Sequence, residues 1–94
     1  MKATWNGHTI AESSDTLMVE GNHYFPPESV DHSVLKPSNH KSTCPWKGEA
    51  SYYSVDVDGQ VNPDAAWTYT DPKPEASHLQ NFVSFWRNVI VSDD

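Results

Sequence analysis

A thiol, an indole and a primary amine fall within four residues of one another in Cys44-Pro45-Trp46-Lys47, closed by Gly48. Cys44 is the only cysteine of the chain. A free thiol titrates near pH 8.5 and only its thiolate attacks well, so a reactive cysteine needs a cation or dipole beside it. Lys47 is placed to supply one: with proline stiffening the segment, a turn here aims both side chains into one cavity. Lys47 has two other uses, as an amine that burial deprotonates for attack on a carbonyl, or as a fixed cation for a carboxylate or phosphate. The plainer assignment is a small buried hydrophobe at Cys44 and a solvated lysine. Cys44 and Lys47 are therefore the candidate catalytic pair, with binding and structural roles left open.

Trp46, Tyr52, Trp67 and Tyr69 are candidates for the wall of an aromatic pocket, where hydroxyl and indole N–H groups orient a small, partly polar ligand. The same rings are also needed for the core, and Trp5, Phe82, Phe85 and Trp86 are assigned to it. Glu12 is a candidate as the acid facing Lys47, or as half of a surface ion pair, which contributes little. Of the five histidines, only His40 lies at chelating distance in sequence from Cys44, and a stable site needs one or two further ligands from elsewhere. Neither a metal nor a cofactor is expected.

These residues must be positioned by short strands. Asn6-Gly7 between Ala3-Thr4-Trp5 and His8–Glu12 is the signature of a tight hairpin turn, and Gly21-Asn22 and Asp58-Gly59 mark two more. Thr16–Glu20 and His23–Phe25 form the second hairpin. Pro27–Val30 can close one helical turn, and Ser33–Lys36 reads as a short strand stopped by Pro37. Ser38–Thr43 reads as a polar connector. The longest strand, Ala50–Val57, puts Ser51, Tyr53, Val55 and Val57 on a core face and Ala50, Tyr52, Ser54 and Asp56 toward a cleft. Gln60–Asn62 returns after Asp58-Gly59, and Pro63-Asp64 introduces Ala65–Tyr69, with Trp67 and Tyr69 on one face. Pro74–Asn81 is the one expected helix, with proline and an acid in its first turn. Phe82–Trp86 and Asn88–Val91 read as two strands around Arg87-Asn88.

Size and charge narrow the functions. Ninety-four residues make a single domain, 1–94. Leu, Ile, Val and Phe number only 17, so the eleven aromatic residues must replace missing aliphatic surface for an ordered core to form. Thirteen acidic residues against six basic ones, a net charge of −7, argue against nucleic acid and against an anionic membrane surface. The first residues lack the apolar run of a signal peptide, no stretch approaches the ~20 apolar residues of a membrane span, and a lone cysteine suits a reducing compartment, so the expected location is cytoplasmic. A homodimer is compatible with the sequence but not required by it.

Trp5-Asn6-Gly7, Ile10-Ala11-Glu12-Ser13, Tyr24-Phe25-Pro26, Cys44-Pro45-Trp46-Lys47-Gly48, Ala66-Trp67-Thr68-Tyr69 and Asp71-Pro72-Lys73-Pro74-Glu75-Ala76 follow one another along the chain. By these residues the chain resembles, over essentially its whole length, the small bacterial and fungal family called domain of unknown function 427. It implies a mainly β, tent-like fold of two small antiparallel sheets enclosing a pocket, with the Cys-Pro-aromatic-Lys-Gly motif at its edge. Similarly shaped zinc domains use paired cysteines, which this chain lacks. The nucleotidyl-transfer label attached to the family is not matched by a Gly-Ser and Asp-x-Asp arrangement, and Asp56-Val57-Asp58 is explained by turn chemistry. The leading expectation is a small-molecule-binding domain with thiol- or amine-dependent catalysis as an extension; the alternatives are a protein-interaction module and a purely structural one.

Overall fold

The computed structural model describes residues 1–93. Among the described residues nine strands run in chain order: β1 Lys2–Trp5, β2 His8–Glu12, β3 Leu17–Val19, β4 Asn22–Tyr24, β5 Leu35–Cys44, β6 Gly48–Val57, β7 Gln60–Thr68, β8 Val83–Phe85 and β9 Ile90–Ser92. They form three antiparallel sheets, ordered β2-β1-β9, β3-β4 and β5-β6-β7-β8. The mainly β class holds, while the expected two sheets are three. The expected helix is a six-residue 3₁₀ segment, Pro74–Leu79, kinked at Ala76. Two shorter 3₁₀ turns, Pro27–Ser29 and His32–Val34, link β4 to β5. No helix of the described residues is long and apolar enough to cross a membrane.

The hairpin turns follow from residues that accept positive φ. Asn6 and Gly7 (φ 51° and 74°) join β1 to β2, and Asp58 and Gly59 (φ 52° and 81°) join β6 to β7. Both pairs suit the type I′ turn, which matches the right-handed twist of the strands. The β3–β4 turn uses Glu20 at φ 54° before Gly21. Glutamate enters that region less readily than Asn or Asp, so its presence there calls for a compensating contact.

The four-stranded sheet has a core on each face. On one, Val55, Val57, Ala65, Ala66 and Phe85 pack with Ala3, Ile10 and Ala11 of the three-stranded sheet. On the other, Ala50, Tyr69, Ala76 and Leu79 pack with Tyr24, flanked by Leu17, Val19, Tyr52, Trp67 and Phe82. Tyr24 and Phe25, adjacent and both 0% exposed, point into opposite cores, as strand alternation requires. Phe25 also pairs with Val83 through reciprocal backbone hydrogen bonds of 2.8 and 3.0 Å, which join the β3–β4 hairpin to the β8 edge. That attachment holds the hairpin over the second face.

The polar segment Ser38–Thr43 is not a connector but the middle of β5, which pairs with β6 from Leu35↔Val55 to Cys44↔Gly48, with an irregularity between Pro37 and Lys41. It is the outer edge of its sheet and almost entirely exposed.

Candidate functional site

Cys44 and Gly48 are cross-strand partners, so Pro45-Trp46-Lys47 is the three-residue turn of the β5–β6 hairpin. Gly48 has φ 110°, a conformation open to glycine and strained for other residues. The turn is clamped from outside: Lys73 N donates to the Lys47 carbonyl at 2.9 Å, and Lys73 Nζ to the Pro45 carbonyl at 2.6 Å. Held this way, the turn sends the Lys47 side chain inward, leaving it 5% exposed, while Trp46 stays 36% exposed.

The acid that meets Lys47 is Glu20, not Glu12. Glu20 forms an ion pair with Lys47 Nζ and accepts from Trp46 Nε1 at 3.4 Å, which accounts for a glutamate in the β3–β4 turn. Glu12 is exposed on β2, opposite Lys2 in a different sheet. Lys47 Nζ also donates to the Tyr24 hydroxyl at 3.4 Å and stands 5.4 Å from the Tyr69 ring centroid and 5.5 Å from that of Trp46. Burial pushes the lysine pKa down, but the Glu20 carboxylate and the phenols of Tyr24 and Tyr69 outweigh it, and the net direction is upward. The amine is thus held as ammonium, the reverse of what attack on a carbonyl needs. Tyr69 is pushed up to about 12, first by burial and then by Tyr24.

Cys44 is half-buried, free, and on the same sheet face as Ala50 and Tyr52, by its register with Gly48. Among the described residues no hydrogen bond joins it to Lys47, and no His, Asp or Glu side chain hydrogen-bonds to it. The turn therefore brings thiol and amine onto neighbouring positions without pairing them. His40 lies 4.5 Å, centroid to centroid, from the Tyr52 ring. Among the described residues no group of three His, Cys, Asp or Glu side chains is arranged to hold a metal. Asp56 and Asp58 flank the end of β6 and its turn.

Beside this staple lies an open cleft of about 320 Å³ lined by Asn22, Tyr52, Trp67, Tyr69 and Trp86. Three of these, Tyr52, Trp67 and Tyr69, are expected from the sequence; Trp46 instead covers the ion pair. Trp86, assigned to the core, is 42% exposed and lines the cleft. Its position after β8, in register one step beyond Phe85↔Ala66, was the available signal, since alternation turns it away from the buried Phe85. Lys47 reaches the cleft through the Tyr24 hydroxyl, which also accepts from Trp67 Nε1 at 3.2 Å.

These features define a class: a small, mainly β domain of three antiparallel sheets with an aromatic cleft, braced by an inward lysine on a hairpin turn. The chain belongs to the family described as a domain of unknown function (DUF427), whose model matches residues 1–93. A search of the curated proteins finds no match.

Proposed function

We propose that this domain binds a small molecule in the cleft between β3–β4 and the four-stranded sheet. The observation that carries the reading is four aromatic side chains and one carboxamide converging on a single open concavity, in a chain that has few rings to spare from its core. Binding pockets are typically apolar hollows of roughly 300–1,000 Å³ with a few orienting polar groups, and this cleft lies at the lower end. A small ligand, or the end of a larger one, is the matching size.

Lys47 supports the cleft rather than reacting in it, because its ammonium is committed to Glu20 and Tyr24. The net charge of −7 weighs against nucleic acid and an anionic membrane as partners, and the unpaired Cys44 suits a reducing compartment such as the cytoplasm. The protein-interaction alternative would use the exposed β5 edge, but Lys36, Pro37, Lys41 and the irregularity between them blunt it against strand addition.

The test is an amide and indole NMR titration of the intact chain with a small set of neutral planar rings, compact cations and aliphatic alcohols. At least one probe should move the signals of Trp67, Trp86 and Asn22 together and saturably. If none moves them at millimolar concentration, the binding reading is wrong.

A further inference from the structure

The rings of the cleft do not form a slot. Tyr52, Trp67 and Trp86 are mutual neighbours, with centroids 6.0 Å apart for Trp67–Trp86 and 6.4 Å for each of the other two pairs. Their planes meet at 82°, 38° and 48°. A flat ligand is held best between parallel plates, whereas walls set at such angles make a corner that contacts a compact, rounded group from several sides. These centroid distances define a point about 3.6 Å from each ring centre. A group as far as about 4.5 Å along the axis through that point remains within ~6 Å of all three ring centroids, the distance over which a cation interacts with a ring face turned toward it.

The polar edges of these rings are already used. Trp67 Nε1 donates to Tyr24, Trp86 Nε1 to the Asp64 carbonyl at 2.5 Å, and the Tyr52 hydroxyl shares a hydrogen bond of 2.9 Å with Ser42. What these three rings have left for a ligand is therefore ring surface rather than hydrogen-bond donors. Arg87, which does not line the cleft, sits 4.5 Å from the Trp86 centroid, so one ring of the set already engages a cation. The other cation beside the cleft, Lys47, is balanced by Glu20, and the domain as a whole carries −7. A cation that needs no hydrogen-bond acceptors suits such a site best.

We propose that Tyr52, Trp67 and Trp86 form an aromatic cage for a methylated ammonium group, the head of a small quaternary amine. This rests on the binding reading above and specifies its ligand class. A trimethylammonium group is rounded, weakly hydrated and without N–H donors, and its charge is recognised through ring faces alone.

The experiment compares choline with 3,3-dimethyl-1-butanol, its uncharged carbon isostere, on the intact chain by tryptophan fluorescence and the same NMR signals. Choline and tetramethylammonium should bind, and the isostere should bind at least about tenfold more weakly, the measure of the charge term. Trp86→Leu and Tyr52→Leu should each weaken choline binding at least about tenfold while their circular dichroism stays that of the parent. Trimethyllysine and phosphatidylcholine vesicles serve as further arms: binding of the amino acid without the vesicles assigns the cage to soluble amines, and vesicle binding alone overturns the small-molecule assignment. Equal binding of choline and its isostere, or binding only of a planar ring such as nicotinamide, overturns the cage but leaves an aromatic cleft. Silence from every probe overturns both.

Discussion

Replacing Tyr24 with phenylalanine removes one oxygen from the centre of the site and leaves the ring in place. The side chain is fully buried, and its hydroxyl accepts from Trp67 Nε1 at 3.2 Å and Lys47 Nζ at 3.4 Å. Ring contacts to Trp67 and Tyr69, at centroid distances of 6.2 and 6.5 Å, survive the change. The cost therefore falls on the two donors. A buried donor deprived of its partner costs roughly 1–3 kcal/mol, and Trp67, partly buried, takes a value toward the low end. Lys47 keeps Glu20, so its loss is nearer the ~1 kcal/mol of an ordinary hydrogen bond. Tyr24→Phe should cost about 2 kcal/mol, with the denaturant slope unchanged. In a domain of this size that lowers Tm by roughly 8–16 °C. Urea unfolding followed by tryptophan fluorescence measures it. In a Trp67→Phe background the indole donor is absent, and Tyr24→Phe should then cost at least about 0.5 kcal/mol less. A single-variant loss below about 0.5 kcal/mol, or strict additivity of the pair, would refute the inference that this hydroxyl ties the lysine to the cleft.

Acid should reveal the Glu20 ion pair. The Glu20 carboxyl is held below its ordinary value of 4.5, first by its hydrogen bond with Lys47 and then by that from Trp46. A depressed folded-state pKa means that the stabilisation is fully present above 4.5 and is lost as pH falls through the lowered value. Unfolding midpoints measured across this acid range should fall less steeply in Glu20→Gln than in the parent; Asp31, lowered first by its hydrogen bond with Ser33, contributes equally to both. Parallel curves would remove the pair as a stabilising contact. Gly48→Ala forces a side chain onto φ 110°, although its Cβ would meet Lys73 N and Asp71 O at the tolerable distances of 3.5 and 3.7 Å. Backbone strain alone then sets the loss, about 1–3 kcal/mol by chemical denaturation, and a neutral substitution would show that the turn does not need glycine.

What the sequence made legible is local. Asn6-Gly7 and Asp58-Gly59 announce their hairpins because the signal and the structure it specifies occupy the same few residues. β5 escaped because an edge strand with solvent on nearly every side chain has no hydrophobic alternation to read. The third sheet was invisible for another reason: β9 pairs with β1, about ninety positions away, rather than with neighbouring β8, after Arg87 and Asn88 (φ 53° and 72°) turn the chain off the larger sheet. Pro74 and Glu75 give a sound helix start, but six residues with a kink at Ala76 are too few to repay α-helix nucleation. Glu20 sits 27 residues from Lys47, and no spacing rule connects a hairpin turn to an ion pair across the fold.

The spacing of Cys44 and Lys47 suggested a reacting pair, yet the geometry gives the motif a different task. A three-residue turn that pairs Cys44 with Gly48 leaves the thiol at the end of a strand and drives the lysine stem through the aromatic layer. There the ammonium joins the tips of two hairpins, β3–β4 and β5–β6, between whose turns no backbone hydrogen bond runs among the described residues. A buried charge contributes little to net stability in place of a hydrophobic residue, but it penalises any arrangement in which its partner is missing. Applied to this fold, that asymmetry fixes where the β3–β4 turn lies relative to the β5–β6 turn. Through the hydroxyl of Tyr24 it also fixes the indole of Trp67, and so the spacing of the cleft wall.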